Sequence, residues 1–472
     1  MRDDEDNQGF VETQACPSGV LEDVNVHDVA AESRNLEKTV TQDGIARVFA
    51  RRFRGQLRYC HHARAWFCWS GSHWQRDQTD LAFEFVRRLA REVTETGEAK
   101  ELREARKTSF ATGVERYARS DPAFAVTSKE WDVNPYLLGT PGGTVDLRTG
   151  ILRDSLPGEG ITRITAVAPS ETANCPIWND FLQQATNDDE QKVRFLQQWA
   201  GYCLTGDISE QALVFFHGGG GNGKSVFLNT VVGIMADYAV IAPADTFTAS
   251  HHDRHPTELA MLRGARLVAA SETERGRAWA ENRIKYLTGG EPISARFMRG
   301  DFFTFQPEFK LTIIGNHQPS LENVDDATKR RFNIVPFLHR PRSPDPTLTE
   351  RLRFEWPAIL RWMIDGCLDW QRNRLTRPTS VLNATADYFD EQDLFGQWLL
   401  SCCDVQQNNE RMTEATGKLF ASWKSFAAET GEKAGSSKAF STEMKKRGFQ
   451  FGRSGAARFF RGIRLLQHLS DT

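Results

Sequence analysis

The residues best suited to chemistry in this sequence lie in the stretch FFHGGGGNGKSVFLN, residues 215–229. Gly218, four further residues and then Gly223, Lys224 and Ser225 match the pattern of a phosphate-binding P-loop. In such a loop, glycines let backbone N–H groups approach phosphate, the lysine neutralises the terminal phosphates and the serine binds Mg²⁺. The preceding ALVFFH is typical of a buried strand and the following KSVFLNTVVGIM of a helix, so the loop has the context it needs. The residues predicted to bind ATP are therefore Gly218, Gly219, Gly220, Gly221, Asn222, Gly223, Lys224 and Ser225.

Three further segments carry residues that could complete such a site. ARLVAASETERG predicts a strand ending in acids, where Glu272 and Glu274 are candidates to hold Mg²⁺ and to polarise water. We favour Glu272 for the metal, although the spacing leaves the division of roles open. FKLTIIGNHQP predicts a strand that delivers Asn316 to its carboxyl end, where an amide can orient the attacking water. DDATKRRFNIVPF places Arg330 and Arg331 before another strand, and an arginine beside a P-loop can stabilise charge on the transferring phosphoryl group.

The elements that must position these residues can be read from the periodicity of the chain. Alternating strand and helix patterns over 208–340 predict a parallel sheet and an α/β fold. The apolar spacing of GIARVFARRFRGQLRYC predicts a helix over 44–60, and AWFCWSGSHWQRD predicts two short strands. The predicted organisation is an acidic, disordered segment at 1–40, a mixed α and β domain at 41–165, a helical connector at 166–207, the α/β core at 208–340, a helical segment and linker at 341–392, and a basic domain at 393–472.

Composition excludes several classes of protein. With 472 residues, 40% hydrophobic and 26% charged, the chain resembles ordinary globular proteins, and a formal net charge of −3 excludes a uniformly basic nucleic-acid binder. Eight cysteines without paired spacing favour reduced thiols. The sequence shows no apolar run of membrane-spanning length and no signal peptide, so we expect no membrane partner and a location in the bacterial host cytoplasm.

The order and spacing of the four motifs resemble a superfamily 3 helicase, one of the AAA+-related hexameric ring motors of small viruses, phages and plasmids. This resemblance implies a homo-oligomer, most often a hexamer, with ATP and Mg²⁺ between neighbouring subunits. It favours Arg331 as the arginine that reaches into the neighbour's site, with Arg330 in reserve. RIKYLTGGEPISARFMRGDFFTF also resembles the family's DNA-gripping hairpin. On that pattern the residues implied in contacts with single-stranded DNA are Lys285, Arg296, Phe297, Met298 and Arg299.

The resemblance extends to both flanks of the motor. LLGTPGGTVDLRTGILR and the segment before it resemble the region that precedes the motor in phage and plasmid primase–helicases and in the poxvirus helicase–primase. The C-terminal GSSKAFSTEMKKRGFQFGRSGAARFFRGIRL resembles a winged helix for duplex DNA, with candidate contacts at Lys445, Lys446, Arg447, Arg458 and Arg461. The paired acidic motif of the family's primase domain is absent from the sequence, so we expect no primer synthesis and regard a separate primase or polymerase as a candidate partner.

These observations favour an ATP-dependent replicative DNA helicase of a phage, plasmid or mobile element. Two alternatives stay open. One is a replication initiator or regulator that needs ATP only to assemble on DNA and would use the same residues. The other is a P-loop kinase acting on a small molecule, which leaves the hairpin and the basic C-terminus unexplained.

Overall fold

The computed structural model describes residues 41–95, 98–249, 257–271, 277–321, 325–341, 344–430, 434–455 and 457–466. These residues form an α/β protein built around a five-stranded parallel sheet, which confirms the predicted fold class at that level.

The N-terminal unit packs helices against a small four-stranded sheet. The Thr41 hydroxyl accepts a hydrogen bond from the Gly44 N–H at 3.0 Å and so caps the first helix. The helix predicted over 44–60 is wrong in its second half: it ends at Arg52, Gly55 turns the chain with a φ of +78°, and a strand follows. The two strands predicted from AWFCWSGSHWQRD are confirmed. The elements are α1 (Gln42–Arg52), β1 (Leu57–Cys60), β2 (Ala65–Trp69), β3 (Trp74–Arg76), α2 (Leu81–Thr94), α3 (Ala99–Ala105), α4 (Thr108–Arg119) and β4 (Ala125–Val126), with sheet order β3-β2-β1-β4.

A three-stranded antiparallel sheet connects this unit to the central core. Its strands are β5 (Leu137–Thr140), β6 (Gly143–Asp146) and β7 (Ile151–Arg153). Leu138, Val145 and Leu147 are fully buried in the same hydrophobic cluster as the helices that follow. Those helices are α5 (Pro176–Thr186) and α6 (Glu190–Cys203).

The central sheet places the ends of its middle strands side by side. Leu213 is paired with both Leu311 and Phe332, and His217 with both Gly315 and Pro336, so the carboxyl ends of three strands meet at one edge. The elements of this region are β8 (Leu213–His217), α7 (Lys224–Met235), β9 (Ala239–Ile241), α8 (Thr257–Ala260), β10 (Leu267–Ser271), α9 (Glu281–Thr288), β11 (Ile293–Ala295), β12 (Phe303–Phe305), β13 (Lys310–Gly315), α10 (Asp326–Lys329) and β14 (Phe332–Pro336). All neighbouring strands of the central sheet are parallel, in the order β14-β8-β13-β10-β9.

A long helix, α11 (Leu348–Asn373), completes the core on the side of α5 and α6. Its Glu355 carboxylate accepts hydrogen bonds from the N–H groups of Ile177 at 3.0 Å and Trp178 at 2.9 Å, and so caps the start of α5. Trp178, Trp199 and Trp362 are buried in one cluster with residues of the sheet. The segment predicted as a helical connector is therefore packed into the core of the α/β unit.

The C-terminal unit has its own smaller core around Trp398. The predicted order of a helix followed by a hairpin is found in the helix Ser437–Lys446 and the paired strands Phe451–Ser454 and Ala457–Arg461. No helix among the described residues is long and apolar enough to cross a membrane. The remaining elements are α12 (Thr379–Gln392), α13 (Leu394–Cys402), β15 (Cys403–Val405), β16 (Thr413–Ala415), α14 (Thr416–Glu429), α15 (Ser437–Lys446), β17 (Phe451–Ser454), β18 (Ala457–Arg461) and β19 (Ile463–Leu465).

Candidate functional site

A cleft of about 550 Å³ opens at the edge where β8 and β13 end. Its floor is the glycine-rich loop and the first turn of α7, residues 220–226, with the end of β13 at 314–316 beside them. Helix α5 contributes Ile177 and Phe181 to the lining, and Pro344 and Leu348 line the cleft as well. The cleft thus combines the backbone N–H groups and helix N-terminus of the P-loop with apolar side chains and with the polar side chains of Asp180 and Arg351.

Lys224 lies in the P-loop part of the cleft and is almost fully buried. Its Nζ donates to the carbonyl oxygens of Gly218 at 2.6 Å and Gly219 at 3.1 Å, and to the side-chain oxygens of Asn222 at 3.0 Å and Asn316 at 3.1 Å. Burial, together with the positive charge of Arg340, lowers the pKa of Lys224. Among the described residues no carboxylate forms an ion pair with this amine, so an anion in the cleft would supply its missing counter-charge.

The loop is tied to the segment that follows β14. The Phe337 N–H donates to the His217 carbonyl oxygen at 2.7 Å, and the Asn222 amide donates to the Phe337 carbonyl oxygen. A Cβ at Gly218, whose φ is +153°, would overlap that same carbonyl oxygen. This glycine is needed for close approach of two backbones as well as for its dihedral angles.

Of the predicted partners of the P-loop, the structure brings Asn316 to the cleft and leaves the acids undetermined. Asn316 follows β13 directly and accepts a hydrogen bond from Lys224. Ser225 is exposed in the first turn of α7 and lines the cleft. Glu272 and Glu274 follow β10, but they lie outside the described residues.

The arginine pair lies at the opposite edge of the sheet, where the strands begin. Phe332 is in register with Leu213, four residues before the end of β8, which is about 13 Å along a parallel strand. Arg331 is buried: its Nε donates to the Thr288 hydroxyl at 3.2 Å and its Nη1 to the Ala327 carbonyl oxygen at 2.6 Å. Arg330 is exposed. Neither arginine can reach the P-loop of its own chain, and in this conformation Arg330 is the freer of the two.

The predicted basic position Lys285 is engaged inside the chain. Its Nζ forms an ion pair of 2.6 Å with Asp325, the residue that caps α10. Burial would raise the pKa of Asp325, but hydrogen bonds from Lys285 and Thr328 outweigh it and lower the pKa to about 2. Lys285 begins a Lys-x-x-Thr-Gly-Gly motif at residues 285–290, and the threonine of that motif, Thr288, accepts a hydrogen bond from Arg331. The motif thus braces the segment that carries the arginine pair, a role that the sequence did not indicate.

The predicted hairpin is found in β11 and β12, with a tip at 296–302 that is largely exposed. Phe297 and Met298 are 51% and 72% exposed, and Arg299 is exposed. The Arg296 guanidinium lies 4.8 Å from the ring centroid of Phe302, which is itself 61% exposed. Phe302 was missed by the sequence reasoning, although its place in the hairpin motif could have identified it.

The basic residues predicted in the C-terminal unit fall into two groups. Arg447 is held within the unit by a bidentate pair with Asp393, at 2.9 Å from Nη1, and by Glu443 at 2.8 Å, so its position is structural. The others lie nearer to solvent: Lys445 lies over the Phe451 ring at 4.8 Å, Lys446 is 3.9 Å from Glu443, Arg458 is exposed and Arg461 is 3.5 Å from Glu410.

Two contributions to the cleft were also missed. The α5 residues 177, 180, 181, 184 and 185 form one helical stripe facing it, and that spacing was present in the sequence. Arg340, just after β14, lies beside Gly219, and no sequence pattern identified it.

Comparison with known proteins finds two family models that each match part of this chain, and distant viral relatives named as putative helicases. Residues 46–187 match the family described as "D5 N terminal like", and residues 216–331 match a family of unknown function. The chain is 24% identical over 330 residues to a "putative helicase" of Acanthamoeba polyphaga mimivirus, covering 64% of this chain and 34% of that protein. It is 26% identical over 233 residues to a "putative helicase" of Frog virus 3, covering 45% and 24%. These matches support its grouping with the phage and viral primase–helicases, as the sequence resemblance predicted.

The chain spans about a third or less of the length of these curated relatives. Among solved structures, the ligand-free C-terminal region of NrS-1 is 9% identical, covers 86% of this chain and 96% of its own, and has a TM-score of 0.48. A similarity at that level does not by itself establish a common fold.

Proposed function

We propose that this chain is an ATP-dependent DNA helicase of the superfamily 3 type, acting in replication of a virus, phage or mobile element. The observation that carries the proposal is Lys224, a buried amine at the carboxyl edge of a parallel sheet, in a cleft of nucleotide size, whose hydrogen-bond acceptors among the described residues are all neutral oxygens. The family match and the names of the viral relatives support a nucleic-acid motor over other P-loop enzymes.

The residues that line the cleft suit both the phosphates and the base of ATP. Phosphates would lie on the loop N–H groups and the N-terminus of α7, with Lys224 at the terminal phosphates. The base would lie between Ile177 and Phe181 on one side and Leu348 on the other. Ser225 and Glu272 would hold Mg²⁺, which when bound neutralises charge on the transferring phosphoryl group, and Asn316 would orient water.

The hairpin and the arginine segment offer a physical link between hydrolysis and DNA. The exposed tip combines two arginines with aromatic rings, which suits phosphates and stacked bases of a single strand. Helix α9 leads into β11 and is fixed to the arginine segment through Lys285–Asp325 and Thr288–Arg331. If an arginine enters the neighbouring subunit's cleft in a hexameric ring, its movement on hydrolysis would therefore be passed to the hairpin.

Subunit mixing tests this arrangement. An Arg330→Ala, Arg331→Ala double variant should bind ATP but lose turnover, and mixing it with Lys224→Ala should restore part of the activity through hybrid sites. Testing each single variant shows which arginine acts. Normal DNA-stimulated hydrolysis by the double variant would contradict the shared site.

The C-terminal unit is proposed as a winged helix for duplex DNA. The order of α15, β17 and β18 and the solvent-facing Lys445, Lys446, Arg458 and Arg461 support it. Primer synthesis is not proposed, and a separate primase or polymerase stays a candidate partner.

Strand displacement on a forked duplex, measured with ATP hydrolysis with and without single-stranded DNA, tests the function. Wild type should unwind and should hydrolyse ATP faster with DNA. Lys224→Ala should do neither, whereas Lys100→Ala, a change of an exposed lysine on α3, should behave like wild type. DNA-stimulated hydrolysis without displacement would instead favour an initiator that uses ATP to assemble. Hydrolysis indifferent to DNA would favour a small-molecule kinase.

A further inference from the structure

The segment that follows β14 is held against the P-loop by backbone contacts. The Phe337 N–H donates to the carbonyl oxygen of His217, the last residue of β8. The Phe337 carbonyl oxygen accepts a hydrogen bond from the side-chain amide of Asn222 in the loop. Three residues later the chain reaches Arg340, and its neighbours His339 and Pro341 line the cleft. The position of Arg340 is thus fixed relative to the loop of the same chain.

The guanidinium of Arg340 lies directly over the loop. A methyl group on Gly219 would be 2.9 Å from Arg340 Nη2, and no other heavy atom is as near to that point. Arg340 is exposed, and among the described residues it has no ion-pair or hydrogen-bond partner. Its guanidinium, which carries five N–H donors, is therefore available to an anion bound at the P-loop.

Among the described residues, neither Lys224 nor Arg340 forms an ion pair with a carboxylate, and the acceptors of Lys224 are neutral oxygens. Burial lowers the pKa of Lys224, and the charge of Arg340 lowers it further. Such an arrangement is unfavourable by itself and is relieved by an anion placed between the two groups. Because Gly219 also supplies a carbonyl oxygen to Lys224, Arg340 lies at the end of the loop where the lysine would contact the terminal phosphates of a bound nucleotide.

We infer that Arg340 binds the terminal phosphate of the nucleotide held by its own subunit, and so makes the cleft selective for triphosphate over diphosphate. This inference rests on the proposed ATP site. It assigns a second arginine to the site, acting in cis, in addition to the arginine expected from the neighbouring subunit.

Equilibrium binding of ATP and ADP in the presence of Mg²⁺ tests the inference. Arg340→Ala should weaken ATP binding roughly tenfold or more while ADP binding changes by less than about threefold, since charge-assisted bonds to one phosphate are lost. Arg340→Lys should recover part of the loss. Arg353→Ala, an exposed arginine of α11 that does not line the cleft, should leave both affinities unchanged. The inference is overturned if Arg340→Ala keeps the wild-type ratio of ATP to ADP affinity.

The same assay separates this failure from failure of the ATP site. If wild type binds neither nucleotide, the proposed function falls and the inference with it. If wild type binds ATP, Lys224→Ala abolishes binding and Arg340→Ala does not change the ratio, only the inference falls. Subunit mixing adds the cis test: Arg340→Ala should regain activity when mixed with the Arg330→Ala, Arg331→Ala variant but not with Lys224→Ala. The reverse pattern would show that Arg340 acts in trans.

Discussion

The glycines of the P-loop should differ sharply in their tolerance of a methyl group, and Gly218→Ala should be the most damaging change. A Cβ there would overlap the Phe337 carbonyl oxygen at a φ of +153°. Backbone strain of this kind costs about 1–3 kcal/mol, and forced displacement of packed atoms adds about 1–3 kcal/mol. We expect a loss of roughly 2–6 kcal/mol in the free energy of unfolding. Displacement of the loop and of the segment after β14 would also move Asn222 and Lys224, so ATP affinity should fall by about 100-fold or more.

Two glycines of the same loop serve as matched controls. Gly220 has no atom within 4 Å of its Cβ position, and the P-loop pattern leaves its identity open, so Gly220→Ala should change unfolding by less than about 0.5 kcal/mol. Gly221 is equally open but has a φ of +76°, so Gly221→Ala should cost about 1–2 kcal/mol. Urea unfolding and ATP titration of the three variants give the series. The steric reasoning is refuted if Gly218→Ala unfolds and binds ATP as Gly220→Ala does.

Three further predictions address the hairpin, the C-terminal unit and a buried lysine. Phe302→Ala should weaken binding of single-stranded DNA by about 1–3 kcal/mol, because base stacking on the ring is lost. Phe354, on α11, has a more exposed ring, and Phe354→Ala should leave DNA binding unchanged. Equal DNA titration curves for both variants would exclude a stacking role for Phe302. Arg447→Ala should destabilise the C-terminal unit by about 2 kcal/mol in thermal unfolding, because its ion pair with Asp393 is lost. Arg458 is exposed, so Arg458→Ala should weaken binding of duplex DNA without changing stability. The opposite pattern would contradict a structural role for Arg447 and a DNA-binding role for Arg458. Burial lowers the pKa of Lys310 from 10.5 to about 8, so between these pH values the unfolded chain binds more protons and stability rises with pH. Relative to Lys310→Met, the free energy of unfolding of wild type in urea should increase by at most about 3 kcal/mol from pH 8 to 10.5. A difference between the two proteins that does not change with pH would show that the lysine titrates normally.

Local patterns in the sequence predicted the elements that carry the phosphate cradle. The strand, loop and helix around Lys224, the strand that delivers Asn316 and the hairpin all have periodicities and turn residues that act within a few positions. These were recovered because neighbouring residues determine them. The helix predicted over 44–60 failed for the complementary reason: apolar spacing continued past Arg52, but the turn at Gly55 redirected the chain into sheet pairing with β2.

Contacts between distant residues could not be read in the same way. Lys285 was assigned to DNA because its motif is basic, yet its partner Asp325 lies 40 residues away. Arg447 was predicted to contact duplex DNA, but its guanidinium is paired with Asp393, 54 residues earlier in the chain. A charged side chain has the same sequence signature whether it meets solvent or a carboxylate, so only the fold separates the two.

The two helices that close the cleft, α5 and α11, are about 170 residues apart in the chain and are joined by the Glu355 carboxylate at the start of α5. The motif-bearing stretch 208–340 therefore supplies the cradle for phosphate but not the walls for a base. Discrimination between a nucleoside triphosphate and bare polyphosphate would reside in the flanking helices α5 and α11. Substitutions in these helices could therefore change which nucleotide is preferred while every motif of the motor stays the same.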